Sequence, residues 1–169
     1  MDVVTAITER RSVRKYEDKP IPDKDLRTIL ESGRLAPSAA NRQPWHFVVI
    51  RDPDRKRELS EVCSGQTWMA DAAVIIAGVG KPSVSEKWYP VDVAIAMQNM
   101  ILAATALGYG TCWIGAFDED RVKSVLAIPE DLQVVALTPV GLPADRPEPR
   151  PRQDMSEFVS LNKYGQEFS

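Results

Sequence analysis

The stretch Val93–Leu107 carries only Gln98, Asn99 and Thr105 as polar residues. It is shorter than the ~20 residues a helix needs to cross a bilayer, so it reads as a helix apolar nearly all round. Such a helix must be covered on every side. Whatever fold the chain adopts is therefore built around this segment. At 169 residues the chain is one domain, long enough to bury a sizeable core. In a chain this small, a partner subunit is one source of the cover the helix needs. An apolar fraction of 44% and a charged fraction of 27% are ordinary for a soluble globular protein.

The remaining elements follow from caps and breaks. Asp2 can cap a helix carrying Val3, Val4 and Ile7, which delivers Arg10, Arg11 and Arg14 at or past its end. After Pro20 and Pro22, Asp23 can cap a second helix with Leu26, Ile29 and Leu30 on one face, ending near Gly33. His46–Ile50 reads as a strand, Asp52–Ser64 as a charged helix, and Ala72–Val79 as a buried apolar strand. Lys81–Pro90 is a polar loop with Trp88 and Tyr89; the apolar helix runs from about Tyr89 to Leu107 and stops at Gly108. Thr111–Ile114 is a third strand candidate, Asp118 caps a helix through Leu126, and Leu132–Leu142 is a fourth strand. From residue 143 the composition turns to proline and arginine, so 143–169 reads as an extended arm of a single domain, 1–169. Helices and strands mix without strict βαβ alternation, which favours the α+β class.

Two segments carry chemistry. Arg10-Arg11-Ser12-Val13-Arg14 gathers three guanidinium forks and a hydroxyl, a set suited to phosphate. About two dozen positions later comes Pro37-Ser38-Ala39-Ala40-Asn41-Arg42-Gln43-Pro44-Trp45, a small-residue loop that lets backbone approach a flat polar ligand. Each also has a plainer reading, the first as a cationic helix end complementing its dipole and the second as a turn between helix and strand. A net charge of −3 makes a broad nucleic-acid surface a poor fit and leaves the arginines as local features.

In order along the chain, these segments resemble the FMN-dependent nitroreductase family. So do Gly108-Tyr109-Gly110-Thr111-Cys112-Trp113-Ile114-Gly115-Ala116-Phe117 and Pro149-Arg150-Pro151-Arg152 ahead of Ser156-Glu157-Phe158-Val159. The likeness runs from about Val3 to about Tyr164. It implies a nitroreductase-like fold: a mainly antiparallel sheet flanked by helices, in a homodimer whose C-terminal arm wraps the other subunit. It implies tightly bound FMN, with NADH or NADPH as electron donor and a small-molecule acceptor. It places Arg10 and Ser12 on the phosphate and ribityl side, with Arg11 less fixed, and Arg14 near the flavin N1 and C2 carbonyl. Pro37, Ser38, Ala39 and Asn41 would come from the other subunit. Gln66 would bond the pyrimidine edge, Ile114 and Gly115 would lie over one face with the Gly115 N–H near N5, and Arg150 and Arg152 would close on the phosphate. Many relatives carry Glu where this chain has Gly115, so any role of that carboxylate is lost here. Gln43, Pro44, Trp45 and the lone His46 read as structural.

No side chain stands out as nucleophile or general base, which suits a chain whose cofactor does the redox work. A Gly-x-Gly-x-x-Gly fingerprint, a P-loop, a Gly-x-Ser-x-Gly elbow and metal-ligand spacing are missing from the sequence. Two cysteines and no leader pattern at the N-terminus point to a cytoplasmic protein with reduced thiols, with no membrane or nucleic-acid partner. The expectation is an NAD(P)H-dependent oxidoreductase reducing nitroaromatics or quinones by a ping-pong mechanism. Open alternatives are another reaction on the same scaffold (reductive dehalogenation, enone reduction or flavin breakdown), a flavin-binding protein without turnover, and a phosphate-ligand module.

Overall fold

A computed structural model describes residues 1–168. Six α-helices are described, α1 (Val3–Glu9), α2 (Asp23–Arg34), α3 (Pro53–Val62), α4 (Tyr89–Ala106), α5 (Glu119–Leu126) and α6 (Met155–Phe158). The strands are β1 (Trp45–Ile50), β2 (Val74–Gly80), β3 (Gly110–Thr111) and β4 (Gln133–Gly141). They form one sheet in the order β1-β2-β4-β3, and every pairing is antiparallel. The α+β class and the antiparallel sheet anticipated above are the observed ones.

All seven residues of β2 are buried, because helices cover both faces of the sheet. Ile75, Ala77 and Val79 point with Leu137 toward Leu59 and Val62 of α3 and Val122 of α5. Val74, Ile76 and Val140 point the other way, toward Leu26 and Ile29 of α2 and Met100 of α4. The two-residue period of the strand therefore feeds two cores at once. Helix α4 lies close on the sheet and on α2. A side chain at Gly78 would collide with Met97 Sδ, and one at Gly33 with Met100 Cε.

The helix starts obey the capping chemistry. Asp2, Asp52 and Asp118 accept hydrogen bonds from the first-turn N–H groups of α1, α3 and α5. The second helix differs from expectation. Pro22 occupies its cap position, while Asp23 turns outward to pair with Arg51 at 2.6 Å. Gly33 lies inside this helix because contact with α4 needs a bare Cα there.

The third strand is also shorter than Thr111–Ile114. Gly110 pairs with Gly141 and Thr111 with Val140, and the same register resumes at Ile114, which exchanges both backbone hydrogen bonds with Leu137. Between them Cys112 would face Pro139, which has no N–H to donate, so the ladder lapses there. Among the described residues, no helix is long and apolar enough to cross a membrane.

Candidate functional site

The N-terminal arginine segment is held at the β3 edge of the sheet. Ser12 forms a parallel bridge with Thr111, and Val13 N donates to Thr111 O at 2.9 Å. Val13 then packs on Gly110, where an added Cβ would lie 2.8 Å from Val13 Cβ. Tyr16 is buried and donates its hydroxyl to Val13 O at 2.9 Å, closing the turn that carries Arg14. Arg14 itself is exposed, its guanidinium carbon 5.8 Å from the centre of the Trp68 ring.

The arm returns along the same segment. Ala144 N donates to Lys15 O at 3.0 Å, Tyr16 bridges Pro143, and Arg146 pairs with Glu9 at 2.8 Å. One cavity of about 440 Å³ is thereby lined by Arg10, Arg11, Ser12, Arg14, Arg150 and Arg152. Glu148 is the one acid among its described lining residues. In a chain of net charge −3, this is a strongly cationic hollow. Two arginine-bearing segments 136 residues or more apart in sequence, expected to act together, do meet. Arg11 spends part of its fork on the end of α1, donating to Thr8 O at 2.8 Å and Arg10 O at 3.0 Å, while its Nε is buried without a partner. Arg152 donates to the carbonyls of Arg150 and Pro151.

The other candidate residues of this half lie on two turns outside the lining of that cavity. Ser64 Oγ donates to Ala116 O at 3.3 Å, joining the turn after α3 to the turn after Ile114. Gln66 sits half-buried beside it and donates Nε2 to Cys63 O at 2.9 Å. Ile114 is buried, whereas Gly115 is exposed, and a side chain at Gly115 would meet only Trp113 Nε1, at 3.8 Å. Burial pushes the Cys112 thiol up from its ordinary value, opposed by Arg14, Ser12 and Arg10. The thiol of Cys63 is pushed up to about 11 by burial.

The small-residue loop lies elsewhere. Ala39 N donates to Asp92 Oδ1 at 3.1 Å, in the first turn of α4, and Pro44 O accepts from Lys81 N at 2.8 Å. The arginine segment instead adjoins the other end of α4, since Arg11 and Val13 line a hollow with Thr105 and Tyr109. At 1.5 Å per residue, Asp92 and Thr105 are about 20 Å apart along the helix. Pro37, Ser38, Ala39 and Asn41 are thus not brought to the arginine cavity of their own chain. Sequence reasoning missed Trp68, the shelf under Arg14, for which no local spacing gives a signal. It also missed Asp92, whose signal was present as the acid that opens an otherwise apolar helix. His46 is exposed on β1, directly after the small-residue loop.

An antiparallel sheet covered on both faces, with a cationic hollow at one edge, defines an α+β domain with a site suited to a phosphorylated ligand. The chain belongs to the nitroreductase family: the family model, described as "Nitroreductase family", matches residues 7–73 and 60–142. A relative from Archaeoglobus fulgidus whose name includes NAD(P)H nitroreductase is 38% identical over 146 residues, covering 82% of this chain and 84% of the relative. A nitroreductase family protein from Clostridium novyi has a solved structure that is 35% identical with a TM-score of 0.82, covering 99% of this chain and 97% of that one. The NADPH:FMN oxidoreductase of Vibrio harveyi, solved with NAD+, is 27% identical with a TM-score of 0.89, covering 99% of this chain and 79% of that one.

Proposed function

We propose that this protein is an FMN-dependent oxidoreductase that takes reducing equivalents from NADH or NADPH and delivers them to small acceptors such as nitroaromatics and quinones. The observation that carries this reading is the arginine hollow formed where the C-terminal arm returns along the N-terminal arginine segment. Its donor set fits FMN. Arg10, Ser12, Arg150 and Arg152 would hold the phosphate and ribityl end by charge-assisted hydrogen bonds. Arg14, propped on Trp68, would set a fixed positive charge against the pyrimidine edge, with Gln66 offering an amide there. Gly115 would bring its backbone close to the ring, and Ile114 would back it. Bound FMN supplies the hydride chemistry at N5, which no side chain here could supply.

The separation of about 20 Å between the two halves of the site along α4 supports a homodimeric arrangement. Each flavin would take its arginines from one chain and its Pro37–Asn41 loop from the other. Donor and acceptor would then use the same open face in turn, giving ping-pong kinetics. The loop from Lys81 to Trp88 is short and tied back to Pro44, so an open site and general reduction are favoured over reactions that need a closed lid. The buried free thiols of Cys63 and Cys112 fit a reducing, cytoplasmic setting.

The test is spectroscopic. The purified protein should carry FMN absorbance, bleach with NADH or NADPH under anaerobic conditions, and recover with a quinone or nitroaromatic. Varying donor and acceptor together should give parallel reciprocal plots. Arg10→Ala and Arg152→Ala should each weaken FMN binding by about 1.5–3 kcal/mol, the worth of a charged hydrogen bond. A flavin that never bleaches would make this a binding protein without turnover. A colourless protein that takes up no FMN would overturn the reading.

A further inference from the structure

Three non-glycine residues of one short loop have left-handed backbone: Ala40 (φ 50), Asn41 (φ 54) and Gln43 (φ 51). That region is unfavourable for residues with a Cβ, and Ala40 has no side-chain group to support it locally. A cluster of such residues persists only where its surroundings over-determine it. Here one clamp is local: Ser38 Oγ accepts from Gln43 N at 2.9 Å. The other comes from Asp92, 53 residues after Ala39, whose Oδ1 accepts from Ala39 N at 3.1 Å. Asp92 is 3% exposed and lies in the first turn of α4, where the helix N-terminus favours an acid. Its other oxygen, Oδ2, is buried with no hydrogen-bond partner. Burying a carboxyl on a single bond is a costly way to fasten a loop if stability alone were served.

We infer that Asp92 is a positioning residue for cofactor binding. Through the Ala39 N–H it holds the 38–43 loop in the shape that keeps Ala40, Asn41 and Gln43 left-handed, so that the Ser38–Asn41 edge meets the flavin of a second copy ready-made. The inference rests on the reading of this loop as the cross-subunit part of the flavin site. Asp92 touches no cofactor itself. Its effect is to remove the ordering cost that a loose loop would incur on binding.

Four variants of the purified dimer test this, read by FMN dissociation constant and by the visible absorption bands of bound flavin. Asp92→Ala should raise the dissociation constant about tenfold, the loss of one hydrogen bond to a charged group. Asp92→Asn keeps an acceptor oxygen and should stay within about twofold of wild type. Glycine populates positive φ as readily as negative, so Ala40→Gly combined with Asp92→Ala should recover part of the loss, which a merely structural role for Asp92 would not allow. Wild-type affinity in Asp92→Ala, equal losses in Asp92→Asn and Asp92→Ala, or no recovery in the double variant would each overturn the inference. The control is Asn41→Ala. If it weakens FMN binding and Asp92→Ala does not, only the role of Asp92 fails. If Asn41→Ala binds FMN like wild type, the loop does not meet the flavin, and both readings fall.

Discussion

Arg14 shows how a residue can be legible in sequence while its support is not. The Arg-Arg-Ser-x-Arg spacing proposes it as a ligand residue, yet its aim depends on Trp68, which arrives from a 3₁₀ turn (Thr67–Asp71) more than fifty positions later. An exposed cation–ring contact is worth about 0.5–1 kcal/mol, enough to bias an otherwise free side chain. A fixed guanidinium at the pyrimidine edge should favour the electron-rich form of the cofactor. Arg14→Gln should therefore lower the FMN reduction potential, and a contact worth ~1.4 kcal/mol corresponds to ~30 mV in a two-electron couple. Arg14→Lys should keep part of the effect, since it keeps charge but not the fork. The check is a redox titration with FMN occupancy measured in every variant. An unchanged potential would leave Arg14 as a helix-end cation.

The elements were legible where a local rule decides them. Caps at Asp2, Asp52 and Asp118 start their helices, and predominantly apolar runs became β2 and α4. The exceptions arise from partners distant in sequence. The β3 ladder lapses because Pro139, on the facing strand, lacks a donor, and Gly33 stays helical because Met100 packs on it. The contact of Gly110 with Val13 belongs to the same kind and fixes where the arginines sit. An added Cβ at Gly110 would lie within 2.9 Å of Cβ, Cγ1 and Cγ2 of Val13, a stiff β-branched side chain that cannot swing away. Gly110→Ala should thus destabilise the protein by about 1–3 kcal/mol through overpacking and weaken FMN binding by displacing Ser12. Adding Val13→Ala makes room and should restore much of the FMN affinity. Thermal unfolding and FMN titration of the single and double variants test this, and an additive double variant would refute the steric linkage.

At the scale of the molecule, the apolar surface left open on one chain is extensive. Along α4, Val91 and Ile95 are exposed, and on neighbouring α1 so are Val3, Val4 and Ile7. The apolar character of the 93–107 segment was legible in its composition, but which of its residues stay open on one chain was not, because α1 and α2 shield α4 unevenly. The tail poses the complementary problem. Asp154 and Glu157 close a capping box on α6, so this segment is locally organised, yet Phe158, Leu161, Tyr164 and Phe168 stand exposed, Tyr164 at 105%. Large open apolar patches mark interaction surfaces, and two such sets on one chain can satisfy each other across a two-fold axis. Truncation after Gln153 separates this role from cofactor binding within one chain, because it spares Arg150 and Arg152. If only two of the tail's large apolar side chains bury on a second copy at about 1.5–3 kcal/mol each, their loss should raise the dimer dissociation constant at least about a hundredfold. The monomer core should melt nearly unchanged, since the tail covers little of its own chain. Sedimentation across a dilution series would show the shift, and because half of each proposed flavin site comes from the partner, FMN retention should fall along the same curve. A truncated chain that sediments as a dimer at every concentration tested would move the interface to α1 and α4 alone.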